Sequence, residues 1–373
     1  MTAPLAGIKV VELARILAGP WAGQVLADLG AEVVKVESPE GDDTRRWGPP
    51  FVENADGTKD AAYFHATNRG KRSVVADFGT EEGRAKVLDL VREADVLIEN
   101  FKLGGLAKYG LDYESLRKVN PRLVYCSITG FGQDGPYASR AGYDFIVQGM
   151  SGIMDLTGDP QGAPQKIGVA YADILTGLYA VIAIQAALHQ RESTGRGQQI
   201  DMALMDVMTG TLANQAMNYL VSGVEPKRLG NAHPNIAPYE AFPVADGWVI
   251  IAVGNDSQFR RLSDLLDLPD VEQWATNAGR VRDRHALSHA VSAQTRDWER
   301  DALLADLEEQ GIPAGPINTV GEALADPQIA ARGMVLDLGE GIKGLRTPIR
   351  FSDAELTLGK ASPKLGPKLG DDE

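Results

Sequence analysis

Residues 8–37 read IKVVELARILAGPWAGQVLADLGAEVVKVE. Two aliphatic, β-branched runs, IKVVEL and AEVVKVE, flank a segment with helical spacing. Pro20 stands early in that segment, where its missing N–H costs no helical hydrogen bond, and Gly30 closes it. The pattern predicts two parallel strands joined by a crossover helix. RSVVADF, DVLIEN and RLVYCSIT read as further strands. TEEGRAKVLDLVREA reads as an amphipathic helix begun by Thr80, and YESLRKVN as a short helix. The expected fold class is α/β, with a large Rossmann-like domain whose parallel sheet carries helices on both faces.

With 373 residues the chain exceeds one small core. From Asp173 the pattern changes to long helices, one to about Arg191 and a second from Asp201 to about Val221. The Pro- and Asn-rich VEPKRLGNAHPNIAPYEAF then leads to the strand WVIIAVG and more helices. The expected division is 1–200 for the first part of the large domain and 201–225 for a connecting helix. A smaller α+β domain follows at 226–325, and 326–373 returns to complete the large domain. The tail KASPKLGPKLGDDE reads as loosely held.

A formal net charge of -14 and a pI near 4.9 disfavour sequence-blind binding to nucleic acid or to a membrane surface. An anionic ligand would need local cations that oppose this field. The single cysteine, Cys126, excludes an internal disulfide framework and reads as a small buried hydrophobe. The N-terminus lacks the layout of a secretory signal. The apolar run Ile174–Leu188 falls short of the ~20 residues a membrane span needs. A cytoplasmic location is expected.

The first βα turn offers Gly19 and Gly23 but not G-x-G-x-x-G, and Pro20 removes a backbone donor, although Glu37 stands where a ribose-binding acid would. A bare doubly wound unit is favoured over a nicotinamide site. Arg69, Lys71 and Arg72 cluster in NRGKRS, read either as a phosphate site or as a solvated loop. Arg45, Arg46 and Lys102 lie near carboxyl ends of expected strands, where such sheets place ligands. His65, His189, His233, His285 and His289 show no metal-ligand spacing, so no metal is expected; His285 and His289 read as a solvated helix face. There is no G-x-S-x-G elbow and no Walker loop.

One carboxylate interrupts the apolar run GVAYADILTGLYAVIAI, residues 168–184. Asp173 reads as a helix N-cap, and also as a nucleophile kept ionised by the helix N-terminus; the two roles are compatible. The Gly254–Asn255 turn is a candidate cover that would supply backbone donors.

LAGPWAGQVLADLGAEVVKVESPEGDDTRRWGPPF, NRGKRSVVADF, DVLIENF, GYDFIVQGMSG, ADILTGLYA and STGRGQQIDMAL, in this order, resemble the family III CoA-transferases. That group includes formyl-CoA and carnitine CoA-transferases and the α-methylacyl-CoA racemases. The resemblance runs from about Ile8 to Leu369 and is closest to the succinyl-CoA:dicarboxylate, glutarate-type branch. It implies an interlocked homodimer and transfer of CoA from an acyl-CoA to a carboxylic acid. Asp173 would pass through a mixed anhydride and an aspartyl-CoA thioester, with coenzyme A as substrate and no metal or redox cofactor. It places Ile16, Leu17, Ala18, Asn68, Lys71, Arg72, Asn100, Phe101, Leu106, Lys108 and Arg140 at the CoA. For the acid it implies Arg45, Arg46, Tyr143, Arg228, His233, Gly254 and Asn255. Formyl-CoA transferases carry glutamine where this chain has Leu17, which argues against oxalate or formate. Racemases carry histidine where this chain has Tyr143, and a tyrosine is a poor base at neutral pH. Racemisation, nicotinamide-dependent dehydrogenation and non-catalytic CoA binding are the competing readings.

Overall fold

The structure, a computed structural model, describes residues 2–54, 56–269, 271–339 and 341–367. β1 (Lys9–Glu12) pairs in parallel with β2 (Glu32–Glu37), and helix α1 (Ala18–Asp28) crosses between them. A hairpin of β3 (Phe51–Glu53) and β4 (Lys59–Ala61) and the one-turn helix α2 (Ala62–His65) precede β5 (Arg72–Val75). Thr80 caps α3 (Glu81–Glu93) by accepting from the Gly83 N–H, and β6 (Val96–Glu99) follows. α4 (Tyr113–Val119) leads to β7 (Val124–Thr129). Next come α5 (Asp144–Met150), α6 (Ile153–Leu156) and α7 (Tyr171–Thr194), then β8 (Gln199–Ala203), α8 (Leu204–Gly210) and α9 (Ala213–Ser222).

The six-stranded sheet has the order β5-β2-β1-β6-β7-β8 and is parallel throughout. Alternation along the strands divides the side chains between two cores. Val10, Ile98 and Cys126 face α1 and α7 on one side; Val11, Leu97 and Tyr125 face the other side with Val87 and Leu116. The chain starts in the middle, runs outward through β2 to β5, and returns to β6 beside β1. The carboxyl ends of β1 and β6 therefore form the switch point of the sheet, where open α/β sheets bind ligands.

Contacts divide the chain into two compact units. One comprises 1–153, 167–212 and 326–373; the other comprises 154–166 and 213–325. The second unit has its own antiparallel sheet, with β10 (Gly247–Ala252) between β9 (Tyr239–Val244) and β11 (Ala314–Pro316). Its core gathers Phe242, Ile251, Leu262, Trp274 and Leu303.

Three expectations are corrected. Asp201 does not begin a helix: QIDMA alternates, Ile200 and Met202 pack on the core, and Asp201 pairs with Ser127 in the sheet. The helices that follow are broken before Ala213, whose backbone is left-handed. The apolar helix α7 has 24 residues, long and apolar enough by length and composition to cross a membrane. Its Ala172, Thr176, Ala180 and Ile184 are nevertheless buried against the sheet and α1. The tail is tied down as far as it is described. Gly70 donates to Lys360 O, Gly366 to Ser73 Oγ, and Val75 to Pro367 O, so the tail runs beside β5. Residues 368 onward, including Leu369, lie outside the described residues.

Candidate active site

At the switch point the loop after β1 is clamped to the loop after β6. The Arg15 N–H donates to Asn100 Oδ1 at 2.9 Å, and Asn100 Nδ2 donates back to Arg15 O at 2.7 Å. Ile16 is left-handed at φ 73, a costly conformation for a β-branched residue. Its N–H donates to the Asp42 carboxylate at 3.3 Å. Asp42 is buried against Lys35 Nζ at 2.9 Å, and Lys35 also reaches Ala14 O and, at 3.1 Å, Glu12. Lys71 meets Glu12 at 2.8 Å, Asn68 Oδ1 at 2.9 Å and Pro20 O at 2.8 Å. Gly23 makes room for this pair, since a Cβ there would lie 1.8 Å from Glu12 Oε2. The loop shape thus rests on a buried, ion-paired set of charges.

α1 begins in this loop, and its N-cap Leu17 supplies no side-chain cap, so that among the described residues no capping side chain takes the first-turn amides of α1. Gly177 lets α7 approach that start: a Cβ on it would lie 2.7 Å from Ala18 O. One turn earlier on α7 stands Asp173. Ala170, not Asp173, is the N-cap of this helix, so the capping role is corrected; Asp173 lies inside the first turn. Nor is its carboxyl held low by the helix end. Burial, followed by the charge of Asp144, pushes it up to about 7. Asp144, at the start of α5, accepts from the Ala172 N–H at 2.8 Å and from Gln148 Nε2 at 2.8 Å. Gly142, just before it, stacks on Gly130 backbone to backbone; a Cβ on Gly142 would lie 2.5 Å from the Gly130 Cα. Tyr63 faces the same region. Burial, then Asp173, Asp144 and Asp42, raise its hydroxyl above the usual range, and its ring meets Trp47 edge-on.

A groove of about 710 Å³ lies along these elements. Its walls bring together Arg15, Ile16, Leu17, Ala18, Asn100, Phe101, Lys102, Lys108, Arg140, Tyr143 and Asp173. Arg140 lies over the Tyr137 ring at 4.5 Å and Lys108 over Tyr109 at 4.7 Å. A second cavity of about 270 Å³ shares Arg15, Phe101 and Tyr109 with the groove and continues to Val36–Ser38 and Ala76–Gly79.

Other expected positions lie elsewhere. Arg69 is 1% exposed and bonded to Asp28, and Lys71 is 6% exposed, so NRGKRS is neither a solvated loop nor an open phosphate cluster. Asn68 is buried in the same network, and Leu106 packs in the core. Arg72 is exposed on β5 and lines neither cavity. Arg45 is buried between Glu37 and Asp60, which removes it as an acid-binding residue. Arg46 is exposed and reaches Asp43 and Glu40 O. In the second unit Arg228 is occupied by Asp155 and its neighbours, and His233 Nδ1 accepts from the Asn235 N–H. Asn255 caps α10 (Asp256–Leu266), and the Gly254 N–H is taken by Gln258. The residues missed are Trp47, Tyr63, Tyr109, Asp144 and the 76–79 turn. That turn was accessible in principle, because it ends the strand RSVVADF at the ligand-binding edge of the sheet.

An α/β sheet whose switch-point groove carries cations along its wall and one desolvated carboxylate suits a large anionic thioester. The model of CoA-transferase family III matches residues 5–368, and the chain belongs to that family. It is 62% identical over 372 residues to the succinate–glutarate CoA-transferase of Agrobacterium fabrum, covering 97% of this chain and 93% of that one. It is 40% identical over 371 residues to the human succinyl-CoA:glutarate CoA-transferase, covering 97% and 84%. The crystal structure of a CAIB/BAIF family protein from Brucella suis superposes with a TM-score of 0.90 at 66% identity, covering 98% of this chain and 97% of that one.

Proposed function

We propose that this CoA-transferase moves CoA between succinyl-CoA and a dicarboxylic acid of the glutarate type, with Asp173 as the nucleophile. The carrying observation is that Asp173 lines the same groove as the cations Arg15, Lys102, Lys108 and Arg140. In this reading the nucleotide enters the smaller cavity beside Val36–Ser38 and Ala76–Gly79. Arg15, Lys102, Lys108 and Arg140 meet phosphates, and the pantetheine arm runs past Ile16–Ala18 to Asp173.

The Asp173 carboxylate attacks the acyl carbon of the thioester. The C–S bond breaks, CoA leaves as thiolate, and a mixed anhydride forms. The thiolate then attacks the aspartyl carbonyl, releasing the first acid as carboxylate and leaving an aspartyl-CoA thioester. The acceptor acid attacks that thioester through one carboxylate, thiolate leaves again, and the new acyl group returns to sulfur with Asp173 freed. No carbon changes oxidation state, so the chemistry calls for no redox cofactor. Free amides at the start of α1, beside Leu17 and Ala18, suit the oxyanion of each tetrahedral stage. Leu17, Trp47 and Leu204 give the groove an apolar wall that suits a methylene chain.

The working form in this reading is a homodimer in the cytoplasm. On α7 the side chains of Leu178, Tyr179 and Ile182 are exposed on a surface a second copy would cover.

Asp173→Ala tests the assignment. Transfer from succinyl-CoA to glutarate should fall by at least about a thousandfold, as expected when a covalent nucleophile is removed, while CoA binding stays near native. Hydroxylamine added in turnover should mark Asp173 in the native enzyme. Substantial residual transfer, or an adduct on another residue, refutes it.

A further inference from the structure

We propose that Asp144 is a positioning residue that holds the start of α7 and whose negative charge drives Asp173 toward its acylated forms. The proposal rests on Asp173 being the nucleophile.

Asp144 opens α5, yet its carboxylate serves α7. Oδ1 accepts from the Ala172 N–H at 2.8 Å, the amide immediately before Asp173. Oδ2 accepts from Gln148 Nε2 at 2.8 Å, and Gln148 Oε1 in turn accepts from the Ile167 N–H at 2.9 Å. Gln148 is fully buried, so this chain of contacts is fixed by packing. With N–H donors on both oxygens, Asp144 has the bonding pattern of an ionised carboxylate, which accepts and does not donate.

A second negative charge therefore stands beside the nucleophile. In the first transfer step the Asp173 oxygen forms a bond to the acyl carbon while the C–S bond breaks. The charge leaves Asp173 and appears on the CoA sulfur. Repulsion between Asp144 and Asp173 is present before that step, lessens as the charge moves out to the sulfur, and is relieved in the aspartyl thioester once the first acid leaves as carboxylate. The free carboxylate is the high-energy form, and the neutral acylated forms are favoured.

The other groups around Asp173 do not supply this charge. α7 packs on α1, α5, α8, β7 and β8. Asp28 of α1 is paired with Arg69, Asp201 of β8 accepts from the Gln133 N–H, and Asp206 of α8 is exposed. Cys126 of β7 is buried with its thiol pushed up by burial. Tyr63 of α2 faces Asp173 as a hydroxyl raised above its usual range. Arg15, Asp43, Lys102, Lys108 and Arg140 line the same groove, Asp43 being paired with Arg15 at 2.9 Å, and the Asp173 carboxyl is raised by burial and then by Asp144.

Asp144→Asn removes the charge and keeps an acceptor for the Ala172 N–H while giving up the one for Gln148 Nε2; Asp144→Ser removes the charge and both long-reach acceptors. In both, the acid limb of kcat/KM for the acyl-CoA should move down by about one pH unit. The fraction of Asp173 trapped by hydroxylamine at saturating acyl-CoA should fall by about tenfold, the equilibrium factor that one pH unit represents. A purely structural role lowers kcat without moving the limb. If a folded neutral variant, judged by its thermal melt, shows the native limb and native trapping, the inference is overturned. If Asp173 of the native enzyme is not the residue trapped, the nucleophile assignment fails instead, so the two failures are separable.

Discussion

An ionisable group pushed upward by burial makes the folded state pay when it ionises, and this gives Asp173→Asn a defined signature. The Asp173 carboxyl rises from an ordinary 3.8 to about 7 in the folded chain. Below pH 3.8 both folded and unfolded chains carry the neutral acid and nothing is lost. As pH rises through 3.8 the unfolded chain ionises first and is favoured. The penalty grows until the folded group also ionises near 7, and is constant above that. That rise corresponds to roughly 4 kcal/mol at full extent, since a tenfold change in proton affinity is worth about 1.36 kcal/mol. Asparagine is nearly isosteric and has no titration. Asp173→Asn should therefore be more stable than native at pH 8, and the gap should widen by roughly 2–3 kcal/mol between pH 5 and pH 8. Urea unfolding of both proteins at equal concentration across that range measures it, and titration of groups distant from Asp173 cancels in the difference. A gap that is flat, or that narrows with pH, refutes a desolvated carboxyl at this position. The same result would show stability exchanged for reactivity at one residue.

The remaining predictions concern the scaffold. Lys71→Ala removes one of the two cations on buried Glu12, leaving Lys35, and should cost about 1–3 kcal/mol in unfolding experiments. Arg72→Ala, one residue along and exposed, should change stability by less than about 0.5 kcal/mol; similar losses in the two variants would contradict the buried network. Gly177→Ala forces a Cβ toward Ala18 O and should cost about 1–3 kcal/mol while reducing kcat through displacement of the loop that starts α1. An unchanged melt and an unchanged rate would show that α1 and α7 do not cross as closely as described.

The parallel sheet was legible because each strand is short, aliphatic and bounded by helix signals. Pro20, Gly30 and Thr80 mark helix ends by rules that act within a few residues. β8 was misread because Gln199–Ala203 is too short and mixed for its two-residue period to prevail over the helical residues beyond it. The carboxylate Asp173 stood out because one charge in an apolar helix is costly whatever surrounds it. Its ionisation did not, because that depends on burial under the fold and then on Asp144, 29 positions away in sequence and brought near by α5 packing on α7. The basic clusters failed for the same reason. Sequence reveals the presence of Arg45, Arg69 and Lys71, whereas their partners Glu37, Asp28 and Glu12 come from strands and helices that only the fold brings together.

These buried pairs bear on why so acidic a chain spends cations in its interior. Taking Glu12, Lys35, Asp42 and Lys71 out of water is unfavourable unless each finds a partner, and apolar residues of similar volume would stabilise the fold as well or better. What an apolar core cannot do is hold the backbone N–H of Ile16 in a left-handed conformation, because that requires a directed acceptor. Asp42 is that acceptor, and Lys35 is the counter-charge that lets Asp42 stay ionised inside the protein. Asn100 fixes the preceding residue from the other side of the switch point. The loop that carries Ile16, Leu17 and Ala18 along the groove is thus positioned from below by charge and from the side by an amide, with Gly177 admitting α7 and its carboxylate alongside. The ion network serves geometry at the groove, and its contribution to stability is secondary.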